Sequence, residues 1–270
     1  WMDASCGYTG VITRKIVIDL GRPARVVAVA RSGIFSSYDG GTNWEGLNYI
    51  PVFRLEWTSI AINPTDGQHI LAGSDYGGPL ALSFDGGLTW EIVNGNEGSN
   101  FRWSDIVFAP SDPNIVYAST SGSFMPGYFD FPNVARGVFV SKNGGRTWKQ
   151  ANDDLSKEAS VVSLAVDPHN PEVVYATTSN QGLLKTSNGG NNWQTVSGIS
   201  SSLRGTFVAI NPNNPEIILA GFDRQAIFIS SDAGQTWVRS ASGMPPEASI
   251  ISVVFDPLRP MELIYASDVF

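Results

Sequence analysis

The chain has 270 residues, 42% of them hydrophobic and only 16% charged, enough apolar material for a sizeable core. No apolar run approaches the roughly 20 residues of a membrane helix. A formal net charge of −8 and a pI near 4.7 argue against a nucleic-acid partner, because phosphate binding needs a basic surface. The lone cysteine, Cys6, excludes an internal disulfide, and Trp1 in place of an initiator Met is expected of a processed chain or a fragment.

The first element in chain order is Ile16 to Ala30, "IVIDLGRPARVVAVA", two Val/Ile-rich runs separated by a turn with a proline. The octet Ser37 to Trp44, "SYDGGTNW", follows it. The same pair then recurs. "IAINPTDGQHILAG" (Ile60 to Gly73) precedes "SFDGGLTW" (Ser83 to Trp90), and "IVFAPSDPNIVYAS" (Ile106 to Ser119) precedes "SKNGGRTW" (Ser141 to Trp148). "LAVDPHNPEVVYAT" (Leu164 to Thr177) precedes "TSNGGNNW" (Thr186 to Trp193), and "VAINPNNPEIILAG" (Val208 to Gly221) precedes "SSDAGQTW" (Ser230 to Trp237). A last run, "VVFDPLRPMELIYAS" (Val253 to Ser267), has no octet after it. The closing tryptophans are 46, 58, 45 and 44 residues apart, a period that marks a propeller or solenoid.

Short β-branched runs broken by Pro, Asn and Gly are strands joined by tight turns. Each unit reads as strand, Pro turn, strand, loop, strand, octet, strand, which is one four-stranded antiparallel propeller blade. The predicted fold is therefore all-β: one propeller domain over 1–270, with blades at about 12–50, 51–97, 98–151, 152–198 and 199–242. A partial sixth spans 243–270. The incomplete unit predicts that the native chain continues into a ring of six to eight blades, with seven favoured.

The octet resembles the Asp-box, or BNR repeat, of sialidases, two-propeller xyloglucanases, the sortilin family and the photosystem II stability factors. Its residues suit a turn. Asp39, Asp85 and Asp232, or Asn143 and Asn188, can accept turn N–H groups. Glycine reaches backbone angles that other residues resist. Trp44, Trp90, Trp148, Trp193 and Trp237 supply rings to bury between blades. Asp gives way to Asn in two copies; an acceptor survives that change and an acid would not. The octets are thus expected to be structural, with mostly buried tryptophans.

Ligand sites are then expected on the face opposite the octets. The candidates there are Trp57, Arg102, Trp103, Arg204 and Arg224, with the aromatic loop residues Phe124, Met125, Tyr128, Phe129 and Phe131. They would form a protein-contact patch or a carbohydrate platform. Packing roles for Trp57 and Trp103, and a self-covering loop, are the competing expectation. His69 and His169 are expected in solvated turns, and neither a metal nor a cofactor is predicted.

Sialidase activity is disfavoured. The nearest match to that family's Phe-Arg-Ile-Pro is Phe53-Arg54-Leu55-Glu56, which follows the first octet and has Glu for Pro. "GSDYGG" (Gly73 to Gly78) resembles the xyloglucanase strand-end segment, whose Asp is one of two catalytic carboxylates and matches Asp75 here. In that family the second acid comes from a second propeller. Function is therefore expected to be that of a non-catalytic extracytoplasmic scaffold or assembly module. It would bind a protein or membrane-associated complex, with a glycoside hydrolase or polysaccharide-binding propeller as the alternative.

Overall fold

The computed structural model describes residues 12–47, 56–75, 78–93, 102–122, 135–152, 154–155, 159–245 and 247–256, with the backbone of 263–267. The regular structure there is all β. The first sheet holds β1 (Thr13–Ile18), β2 (Val26–Ala30), β3 (Gly33–Ser37) and β4 (Glu45–Gly46). The second holds β5 (Trp57–Asn63), β6 (Asp66–Ser74), β7 (Leu80–Ser83) and β8 (Glu91–Val93). The third holds β9 (Arg102–Phe108), β10 (Val116–Ser121), β11 (Val138–Ser141) and β12 (Lys149–Gln150). The fourth holds β13 (Val161–Val166), β14 (Val174–Thr178), β15 (Leu183–Thr186) and β16 (Gln194–Thr195). The fifth holds β17 (Gly205–Ile210), β18 (Ile218–Phe222), β19 (Ala226–Ser230) and β20 (Val238–Ser240), and β21 (Ile250–Phe255) pairs with β22 (Leu263–Ser267) alone.

Strands pair in sequence order, antiparallel, as consecutive hairpins must. The chain forms two compact units: 1–108, 113–134 and 141–149 in one, and 109–112, 135–140 and 150–270 in the other.

The first turns of the first, second, fourth and fifth sheets form for a local reason. Asp19 Oδ1 accepts the N–H groups of Gly21 (3.0 Å) and Arg22 (3.2 Å), and Asn63 Oδ1 accepts that of Thr65 (2.9 Å). Asp167 and Asn211 do the same for the two N–H groups that follow their turns. These side chains replace the backbone partners that a turn lacks, while proline holds its own φ.

In the first unit, Val27, Val29 and Ile34 share one core with Trp57, Ile60 and Ile70, so neighbouring sheets meet through β-branched side chains. In the second unit, Tyr175 and Leu183 share a core with Val208, Ile218 and Phe222. In the first unit, β5 packs Ile60 against Val27 and Val29 of the first sheet. Ile60 is buried there, whereas Ile16, at the matching place of β1, is 56% exposed.

One regularity is invisible in the sequence. The first strand of every hairpin slips register near its start: at Thr13/Lys15, Trp57/Ser59, Trp103/Asp105, Val161/Ser163, Gly205/Phe207 and Ile250/Ser252. Each slip leaves one extra residue, a β-bulge that bends the strand and re-aims the residues before it. In β5 the extra residue is Thr58, whose hydroxyl donates to Trp103 O at 2.7 Å in the next sheet.

Candidate functional site

Each octet closes the hairpin between the third and fourth strands of its sheet. The first residue is the hub. Its hydroxyl donates to the Asp or Asn Oδ1 at 2.8–2.9 Å and accepts the N–H of the fifth residue, always glycine, at 2.8–3.0 Å. The same Oδ1 accepts the seventh residue's N–H at 2.8–2.9 Å. Asn143 and Asn188 keep both of these bonds. Only the second side-chain atom differs: Asn143 Nδ2 donates to Thr147 Oγ1, whereas Asp85 Oδ2 accepts from Thr89 Oγ1. Hydrogen bonds from Asn43 and Ser37 hold Asp39 down to about 2, and those from Thr89 and Thr236 do the same for Asp85 and Asp232. These carboxylates are turn acceptors, spent on their own backbone.

The fourth octet residue carries the wider connection. Its N–H donates to the first turn of its own sheet at 2.8–3.0 Å: Gly40 to Ala24 O, Gly86 to Gln68 O, Gly144 to Asn114 O, Gly189 to Glu172 O and Ala233 to Glu216 O. The two turns of each blade are thereby tied at one end. In the second, third and fifth sheets the carbonyl of the same residue is gripped by the preceding sheet. Arg25 Nη2 donates to Gly86 O (2.9 Å), His69 Nε2 to Gly144 O (2.8 Å) and Tyr175 Oη to Ala233 O (2.7 Å). The position lies in left-handed backbone, with φ between 56° and 75°, which explains glycine in four copies and a strained Ala233 in the fifth.

His69 corrects an expectation. It is buried in β6, not solvated, because it spans two sheets. Asn63 Nδ2 donates to its Nδ1 (3.1 Å), which leaves Nε2 to donate to Gly144 O, so the ring is the neutral Nε2–H tautomer. Phe84 and Phe108 flank it with ring centroids at 4.6 and 5.0 Å. Burial lowers its pKa below the ordinary value. The neutral ring therefore supports the fold above the unfolded-state pKa near 6.5, and that support is lost as pH falls through the lower folded value. Chemical denaturation at pH 7.5 and at pH 5 is expected to show a loss of stability that is clearly smaller in His69→Gln. An equal loss in both proteins would assign the acid sensitivity to other groups. His169 does lie exposed in its turn, as expected.

The end of each sheet away from the octets was expected to hold the ligand site. Trp57 and Trp103 are not surface anchors there, because both are buried. Trp57 belongs to the core shared with Val27 and Ile60. Trp103 is 2% exposed and donates Nε1–H to Gly78 O at 3.1 Å. A Cβ on Gly73 would lie 2.5 Å from Trp103 Cβ, so the missing side chain makes room for the indole. Of the remaining candidates, Arg102 is half-buried, and Arg204 and Arg224 are exposed. Phe124, Met125, Tyr128, Phe129 and Phe131 lie outside the described residues.

Asp75 follows β6 directly and is 4% exposed. Its N–H donates to Glu56 O (2.8 Å) and its carbonyl accepts from Gly78 N–H (3.1 Å), so its backbone is fixed on both sides. Glu56, opposite it, is also buried, and its carboxylate meets Arg31 Nε at 2.6 Å and Arg14 Nη2 at 3.5 Å. Nearby, Lys15 pairs with buried Asp105. The octets gave no sign of these ion pairs. The available signal was the run of charged residues at strand starts and ends: Arg14, Lys15, Arg31, Glu56 and Asp75. No group of three or more His, Cys, Asp or Glu residues suited to a metal occurs among the described residues.

Hairpin-ordered four-stranded sheets, each closed by the same side-chain-capped turn, define an Asp-box β-propeller. The chain resembles sortilin, GH74 xyloglucanase and YCF48 propellers. The Sortilin-Vps10 family (sortilin, neurotensin receptor 3) matches residues 136–237. Among solved structures, an ancestral GH74 enzyme superimposes with a TM-score of 0.77 at 22% identity, over 93% of this chain and 34% of that one. The GH74 xyloglucanase from Xanthomonas campestris gives 0.74 at 17%, over 97% and 44%. YCF48 from Cyanidioschyzon merolae gives 0.52 at 15%, over 96% and 94%. The chain thus spans less than half the length of the GH74 structures it matches. No curated protein matches its sequence.

Proposed function

We infer that the chain is a polysaccharide-handling propeller of the glycoside hydrolase kind, working through the strand ends around Asp75. The observation that carries this reading is Asp75 itself. It is a buried carboxylate at the end of β6, with its backbone fixed by Glu56 and Gly78. It sits in the "GSDYGG" segment that resembles the xyloglucanase strand end. The fold likeness to a xyloglucanase and to an ancestral GH74 enzyme supports it. Glycoside hydrolysis needs two carboxyl groups flanking the bond. Asp75 would supply one of the pair. Binding without turnover is the expected behaviour of this chain alone.

Calorimetric titration with xyloglucan oligosaccharides tests the reading. Saturable binding, weakened in Asp75→Asn without a change in unfolding midpoint, is expected. Failure to bind these or other β-glucan oligosaccharides would overturn it. Such a protein would act outside the cytoplasm, where polysaccharides are met. No helix among the described residues is long and apolar enough to cross a membrane.

A second reading, a protein-binding scaffold, is favoured by the sortilin match over residues 136–237 and by the near-equal chain lengths in the YCF48 comparison. It assigns binding to the Phe124–Phe131 loop with Arg102 and Arg204.

A further inference from the structure

The turn between β18 and β19 is strained and braced at once. Arg224 and Ala226 both have left-handed backbone, with φ of 56° and 60°. Residues with a Cβ resist such angles. The fourth sheet spends a glycine at the place that corresponds to Ala226, Gly182, with φ 69°. The methyl of Ala226 is buried, so packing accounts for it. Arg224, by contrast, is exposed.

The turn is held from several sides. Asp223 N–H donates to Arg204 O (2.8 Å), and Ala226 N–H to Ala248 O (2.9 Å). Arg224 N–H donates to Ser249 Oγ (2.9 Å), and that hydroxyl donates to Asp223 Oδ1 (2.7 Å). Arg239 Nε donates to Gln225 O (2.9 Å). Three of the 17 basic residues of an acidic chain thus meet at one turn. The guanidinium groups of Arg204 and Arg224 make no hydrogen bond or ion pair among the described residues, and the local acid, Asp223, is engaged by Ser249. Strain maintained in an over-determined turn, at an exposed arginine, points to a ligand. Guanidinium groups fit carboxylates, which they can bind through paired N–H donors.

We propose that Arg204 and Arg224 form a binding site for the carboxylates of an acidic, uronate-bearing polysaccharide. The site rests on the polysaccharide reading above. In the repeat register Arg204 and Asp223 occupy the places that Glu56 and Asp75 hold in the second sheet, so the aspartate is kept and a glutamate is exchanged for an arginine.

The probe is a defined oligogalacturonate, titrated at 50 mM NaCl beside a neutral xyloglucan oligosaccharide and a poly-glutamate peptide. The oligogalacturonate is expected to bind, to bind at least tenfold more weakly to the Arg204→Gln/Arg224→Gln double variant, and to be released by 0.5 M NaCl. Arg224→Gly is expected to raise the unfolding midpoint while weakening binding, a combination that a purely structural arginine would not give. Equal binding by the double variant overturns the site. Preference for poly-glutamate overturns the ligand class in favour of an acidic protein. Binding of the neutral sugar alone overturns this inference and leaves the polysaccharide reading standing. Binding of neither sugar removes both.

Discussion

Replacing Arg25 with alanine is expected to lower the unfolding free energy by about 3–5 kcal/mol, the usual result of removing one partner of a buried ion pair. Arg25 is 2% exposed and sits just before β2. Its guanidinium meets Asp19 Oδ2 (3.4 Å), Gly67 O and Gly86 O (2.9 Å). It therefore joins the first turn of one sheet to the first turn and the octet of the next. Alanine would leave a buried carboxylate and two carbonyls without their donor. Gly67 belongs to the same arrangement, since a Cβ there would overlap the Asp19 carboxylate. Arg25→Lys keeps the charge but loses the fork, so an intermediate loss is expected. Urea denaturation measures both. A loss under about 1 kcal/mol for the alanine variant would mean that the turns are tied mainly by their backbone bonds.

Trp193→Ala is expected to cost a similar amount, about 3–5 kcal/mol for a buried aromatic. It should cost clearly more than Trp148→Ala. The octets look alike in sequence, yet their tryptophans are placed differently. Trp44, Trp90, Trp148 and Trp237 are half-buried, and each donates its indole N–H within its own turn, at 2.8–3.2 Å. Trp193 is buried and donates to Ala151 O (2.8 Å), outside its octet. Its removal opens a cavity and strips a carbonyl of its donor, whereas removal of Trp148 loosens an exposed turn. Equal unfolding midpoints for the two variants would contradict this distinction.

The repeat, the strand order within each blade and the nature of the octet were all legible in the residues alone. The physical reason is that these features are local. Val/Ile runs, Asn/Asp-Pro turns and Ser-x-Asp-x-Gly hydrogen bonding act between residues within a few positions of one another, so spacing displays them. Exchange of Asp85 for Asn143 at one turn position identified an acceptor because the chemistry of a single turn sufficed.

What lies between sheets needed the tertiary structure. Trp57 and Trp103 sit at strand starts that look like surface entries, but the neighbouring sheet covers them. His69 and Arg25 fall in turns that look solvated, but each reaches the octet of the next sheet. The bulge near the start of each first strand carries no fixed residue type, since Arg14, Thr58, Ser104, Val162, Thr206 and Ile251 all fill it. The pairing of Arg14 and Arg31 with Glu56 joins residues up to 42 positions apart. Such contacts depend on how one blade lies against the next, and no short window of sequence contains both partners.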